Sequence, residues 1–146
     1  MTGPRSVRFD SETEQHLASF VARHPGLSQS SAAALLVEEG LRMDAHPGVS
    51  FREGPAGRRA VLAGGPDVWE AIRAIRSVRE ADPTLTAAET LDLVAASTSL
   101  DARMLQVAVA YYSGYPAEID ALITAAQDAE SAAEAAVERR QALLGA

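Results

Sequence analysis

Residues 5–43 supply one short strand and two helices, too little to enclose a core, and this limits the folds open to the chain. Arg5-Ser6-Val7-Arg8-Phe9-Asp10 alternates polar and apolar side chains, the period of a strand with one buried face. Val7 and Phe9 fall on one side, Ser6 and Arg8 on the other. Ser11 with Glu14 reads as a capping box, predicting a helix whose apolar face is Leu17, Phe20 and Val21. His24-Pro25-Gly26-Leu27 breaks that helix, because proline restricts the residue before it and glycine suits a left-handed turn. Ser28 then caps a second helix to about Met43, with Ala32, Leu35, Leu36 and Leu41 inward. A lone strand would also leave its edge unpaired. Two copies solve both problems by pairing their strands into an antiparallel ribbon over four interlocked helices. The segment is therefore expected to be an obligate homodimer.

The rest of the chain has another texture. Val49-Ser50-Phe51-Arg52 and Arg59-Ala60-Val61-Leu62 read as strands around Gly54-Pro55-Ala56-Gly57, a hairpin by composition. Pro66 or Asp67 opens a helix to about Glu80, with Val68, Ile72, Ile75 and Val78 as its core stripe and Trp69 at its shoulder. Thr86 with Glu89 forms a second capping box for a helix to about Ala96 carrying Leu91, Leu93 and Val94. Residues 100–113 make the next helix, with Leu100, Met104, Leu105, Ala108 and Val109 apolar. Tyr111, Tyr112 and Tyr115 are expected to close its end, and Pro116 suits the first position of a final helix. Ile119, Leu122 and Ile123 pack its start, whereas Ala125 to Arg140 has high helix propensity and little to bury, as a projecting tail would. The expected fold is mainly α, with three segments: 1–45 for DNA binding and dimerisation, 46–123 as a hairpin plus helical domain, and 124–146 as an acidic Ala-rich tail.

A net charge of −7 sits awkwardly with nucleic-acid binding until it is mapped along the chain. Residues 1–60 carry seven Arg and seven acids, residues 61–115 four and seven, and residues 116–146 two and six. All 13 basic residues are Arg, which codon bias in a GC-rich genome explains without a mechanism. The first eight residues hold Arg5 and Arg8 and no acid. Salt screens charges beyond roughly 8–10 Å, so local potential decides phosphate contact, and the first segment is the one expected to touch DNA. Absence of cysteine rules out disulfides and thiolate metal sites and suits a reducing cytoplasm. The start of the chain carries no secretory pattern and no apolar run is long enough for a membrane span, so a cytoplasmic location is expected. The three histidines lack metal-like spacing, and no nucleophile or phosphate loop stands out, so neither catalysis nor a cofactor is expected.

In a two-stranded ribbon lying in the major groove, outward side chains from both copies meet base edges. Arg8 offers a bidentate fork to guanine, Ser6 a versatile hydroxyl, and Arg5 lies where a phosphate would pass. Ser28-Gln29-Ser30 places N–H groups and hydroxyls at the positive end of a helix dipole, suited to clamping a phosphate. The plainer alternatives are a solvated edge strand and an ordinary helix cap. Arg58 and Arg59, flanking the hairpin turn, read mainly as solvated, and Trp69 as a core anchor.

Ser6-Val7-Arg8-Phe9-Asp10 through Leu17, Gly26-Leu27-Ser28-Gln29-Ser30 and Glu39-Gly40-Leu41-Arg42 together resemble the CopG/Arc/MetJ ribbon-helix-helix family over residues 5–43. The resemblance implies base reading by Ser6 and Arg8 and phosphate clamping at Ser28, Gln29 and Ser30. The His24-Pro25 turn and the presence of two outward readers rather than three depart from the family pattern. Gly57 to Gly65, Asp67-Val68-Trp69-Glu70 and Leu100 to Asp120 are similar to the small helical domain of Vap-type antitoxins, whose partners are PIN-like ribonucleases. That similarity implies an autorepressor binding double-stranded operator DNA and neutralising such a toxin. A stand-alone regulator with a sensing or oligomerising C-terminal domain, and a scaffold that dimerises without DNA, are the competing readings. Residues 86–113 also have the layout of a helix-turn-helix, spaced by Val94, Leu100 and Leu105. Their exposed Asp101, Arg103 and Gln106 are near neutral, which favours protein binding or dimer support over a second DNA contact.

Overall fold

The computed structural model describes residues 3–55 and 57–145. Ala56 of the hairpin turn, and residues 1, 2 and 146 at the ends of the first and last segments, lie outside them. The described residues are mainly helical, with six helices and one two-stranded antiparallel sheet. The chain divides into two units, Met1–Asp44 and Ala45–Ala146.

In the first unit, α1 spans Ser11–Ala22 and α2 spans Gln29–Ala45. The cap of α1 is Asp10, not Ser11: the Asp10 carboxylate accepts the Thr13 N–H at 2.7 Å. Asp10 and Ser11 are both good caps, and the helix takes the one whose oxygen reaches the third residue on. That bond from Thr13 holds the Asp10 carboxyl below its ordinary range. At the far end, His24 stacks on Phe20 and Gly26 turns the chain at φ +99°, where a side chain would be strained. Ser28 caps α2 as expected: its hydroxyl accepts the Ser31 N–H at 3.1 Å, and the Ser31 hydroxyl accepts the Ser28 N–H at 3.1 Å. The helix continues two residues past Met43.

This unit does not close on itself. α1 buries no residue, and α2 buries only Ala32 and Glu39. No Cα of α1 lies within 8 Å of a Cα of α2. Val7 is 69% exposed and Val37 55%. Leu41, expected inward, is 62% exposed. At 3.6 residues per turn it lies on the opposite side of the helix from Ala32, nine positions earlier. Residues 3–10 carry no regular secondary structure in the single chain, and among the described residues nothing pairs with them.

The second unit builds its own core. β1 (Val49–Gly54) pairs with β2 (Gly57–Leu62) in a register that sets Phe51 opposite Ala60 and Arg52 opposite Arg59. Both strands run two residues further toward the turn than composition indicated. One face presents Val49, Phe51, Ala60 and Leu62 to the core; the other carries Arg52 and Arg59. The Leu62 N–H donates to the Pro66 carbonyl at 2.9 Å, which folds Asp67 back beside Val61. Asp67 then caps α3 (Val68–Ala81). Thr86 and Glu89 form the expected capping box of α4 (Ala87–Ser97), with bonds of 3.2 and 2.8 Å. Asp101 caps α5 (Ala102–Gly114), so Leu100 is buried just ahead of the helix and not inside it. Pro116 opens α6 (Pro116–Leu144), which runs unbroken through residues 123 and 124.

Val68, Ile72, Val94, Leu105, Tyr111, Ile119 and Ile123 form the centre of this core. Ile75, Val78 and Leu91 pack at its margin, while Leu93 and Val109, expected inward, are exposed. Tyr111 is fully buried and donates its hydroxyl proton to Glu118 at 2.8 Å. Arg76 binds Asp120 and the Tyr112 hydroxyl, and Arg73 grips Glu130 with two bonds of 2.7 Å. α6 is therefore fastened to α3 as far as Glu130. Beyond it every described residue except Ala135 is exposed, Val137, Leu143 and Leu144 included. No described helix is long and apolar enough to cross a membrane.

Candidate nucleic-acid interface

The residues expected to meet DNA divide into two groups in the first unit. Arg5, Gln29 and Ser30 come together on the rim of one groove of about 540 Å³, whose walls include Val7, Phe9, Leu17 and Val37. Ser6 and Arg8 are exposed outside that groove. This separation follows from the alternation of residues 5–10, which sends Val7 and Phe9 to the groove and their neighbours away from it.

At the start of α2 the two serines take different parts. The hydroxyls of Ser28 and Ser31 lie 2.5 Å apart and are occupied in the reciprocal cap. Ser28 therefore acts through the helix end it stabilises. Gln29 and Ser30 sit in the first turn, where backbone N–H groups have no carbonyl of the helix to bond. The first turn of α2 has no acid, so its positive pole is not neutralised locally. A phosphate approaching this end would meet N–H groups and the Ser30 hydroxyl, with Arg5 on the same rim. Asp10, Glu12 and Glu14 cap or flank the start of α1, and Glu14 also lines the groove.

The apolar character of this unit continues past the first groove. A second depression of about 390 Å³ is lined by Phe9, Leu17, Phe20, Leu36 and Val37. Phe9, Leu17 and Val37 thus face two cavities, a surface that a monomer seldom leaves to water.

The second unit holds a polar cluster that composition did not reveal. Asp67, its side chain only 7% exposed, accepts from Arg59 Nε, from Trp69 Nε1 at 3.0 Å and, longer, from Arg52 Nη2 at 3.5 Å. Arg59, expected to be solvated, is 17% exposed and bound to this carboxylate, which raises its pKa further. Trp69 is half-buried and serves the cluster through its indole N–H. The signal for this arrangement is the placing of Arg52 and Arg59 at mirrored positions about the hairpin turn, together with an Asp-x-x-Glu sequence after Gly64-Gly65-Pro66.

In the possible helix-turn-helix, Val94, Leu100 and Leu105 are all buried. Asp101 is engaged as the cap of α5, accepting the Met104 N–H at 2.8 Å, which leaves Arg103 and Gln106 as its outward polar residues. Among the described residues no group of three or more His, Asp or Glu could hold a metal ion. No protein-family model matches this chain, no curated protein matches its sequence, and no solved structure matches its fold.

Proposed function

We propose that this chain is a dimeric ribbon-helix-helix repressor that binds operator DNA through its first unit and acts as the antitoxin of a PIN-like ribonuclease. The observation that carries the reading is the uncovered apolar surface of Met1–Asp44, in which α1 buries nothing and Val7 and Val37 stand exposed. A second copy covers that surface by pairing residues 5–10 of each chain across a two-fold axis. Val7 and Phe9 then turn into a shared interior while Arg8 and Ser6 of both copies project to base edges. Gln29 and Ser30 hold the flanking phosphates, helped by Arg5. Homodimer and base contact thus stand on the two faces of one segment, residues 5–10. No step of this reading needs catalysis or a cofactor, and it places the protein in the cytoplasm.

The partner ribonuclease is the less direct part. A nuclease site attracts phosphate and so carries basic residues, and the outer part of α6 exposes Asp128, Glu130, Glu134 and Glu138 against Arg139 and Arg140, an excess of two acids. Sedimentation of the full chain tests the dimer, retardation of its upstream DNA tests the repressor, and co-purification with the product of the adjacent reading frame tests the antitoxin. A stable monomer would end the whole reading; a DNA-binding dimer without a co-purifying nuclease would leave a stand-alone regulator. The closed core of the second unit favours that alternative, since it needs no partner to fold.

A further inference from the structure

The outer face of the hairpin, the start of α3 and the flank of α6 border an open groove of about 440 Å³, within the roughly 300–1,000 Å³ range of small-molecule sites. One wall is cationic and holds Arg52 and Arg59; the other is apolar and holds Leu122, Ala125 and Ala126, with Trp69 between them. We propose that this groove binds a small monoanion with a flat apolar body, of the aromatic carboxylate class.

The argument begins with the hairpin register. Arg52 and Arg59 stand directly opposite each other, a like-charge pair that a hairpin avoids unless something compensates it. Asp67 compensates one of them: it binds Arg59 closely and receives Trp69 as well. Its remaining contact, to Arg52 at 3.5 Å, is at the limit of a hydrogen bond, and the Arg52 side chain is 60% exposed. Among the described residues, Nε and Nη1 of Arg52 meet no acceptor. Arg52 therefore presents an open guanidinium edge over the groove, the geometry that receives a carboxylate. Glu70, also in the lining, already accepts the Asp67 N–H at 3.0 Å. Asp67 and Glu70 balance the two arginines in formal charge, so the weakly engaged Arg52 has one carboxylate to receive and a polyanion would bring charge that nothing in the site offsets. The indole of Trp69 and the Leu122 wall suit a planar ring on the carboxylate. This inference does not depend on DNA binding, which concerns the other unit.

Trp69 is the sole tryptophan, so its fluorescence reports on this groove directly. The full chain is titrated with benzoate, with benzamide as the neutral analogue and with inorganic phosphate. Saturable quenching by benzoate, with neither control saturating, is the expected result. Arg52→Gln, which leaves the Arg59–Asp67 contact in place, weakens the benzoate response about tenfold or more. Ala126→Met fills the apolar wall, retains both arginines and also lowers it. Equal quenching by benzoate and benzamide, a response that never saturates, or an Arg52→Gln protein that titrates like the unsubstituted chain would each overturn the proposal.

Discussion

Asp67→Asn tests whether the buried carboxylate holds the hairpin to α3. Asparagine keeps the shape and is as good a helix cap as aspartate, so the cap of α3 survives while the charge is removed. The carboxylate accepts from Arg59 Nε and from Trp69 Nε1 through the same oxygen, Oδ2, so an amide oxygen placed there keeps both bonds in neutral form. Its NH2 group then takes the Oδ1 position facing Arg52 Nη2, and the largely enclosed Arg59 guanidinium loses its countercharge. Losing the charge of a buried pair while both hydrogen bonds persist should cost about 1.5–3 kcal/mol, the range of a hydrogen bond to a charged group. For a unit of this size that lowers the melting temperature by about 7–15 °C. Trp69 fluorescence and tyrosine circular dichroism follow the second unit specifically, because the tryptophan and all three tyrosines lie in it. Asp67→Ala should fall further, because it leaves the Arg59 Nε and Trp69 Nε1 donors without an acceptor. An Asp67→Asn protein melting within about 2 °C of the unsubstituted chain would refute the reasoning.

Other substitutions probe other links. Arg8→Ala should weaken operator binding by about 1–3 kcal/mol and relax base preference, read by retardation against a set of operator variants. Ser28→Ala removes the cap of α2, costs about 0.5–2 kcal/mol of helix stability, and weakens binding to every DNA sequence alike. Leu105→Ala empties a fully buried position and should cost about 2–5 kcal/mol by denaturant unfolding. Glu130→Gln removes the clamp of Arg73 on α6, and amide exchange should rise from Thr124 onward while the hairpin is unaffected. Glu89 has its pKa depressed below the ordinary 4.5 by the Thr86 N–H and hydroxyl. Its contribution is complete above that value and disappears as pH falls through the lower folded value, so Glu89→Gln should flatten the acid limb of the stability profile.

Much of the fold follows from local signals. The Thr86–Glu89 box, Pro116 at a helix start and the Gly-rich hairpin each act within a few residues, and each element stands where its signal lies. Misplaced details have equally local causes. Asp10 and Ser11 compete for one cap, and Leu41 lies half a turn from Ala32 despite being apolar. The Asp67 cluster was harder to read because it needs the hairpin register and the return of the chain past Pro66, neither of which composition encodes. For the interface, alternation in residues 5–10 specifies two faces, but a strand exists only once another backbone bonds to it. A single chain therefore displays the residues proposed to meet DNA without ordering them into a ribbon.

The sparse burial of Met1–Asp44 has a consequence for dosage. A segment that cannot exclude water by itself borrows its stability from whatever covers it, so mass action governs how much of it is folded. If the cover is a second copy, the assembled population at low abundance scales with the square of chain concentration. Modest proteolysis would then silence this half of the molecule out of proportion to the material lost, while Ala45–Ala146 stays folded at any dilution.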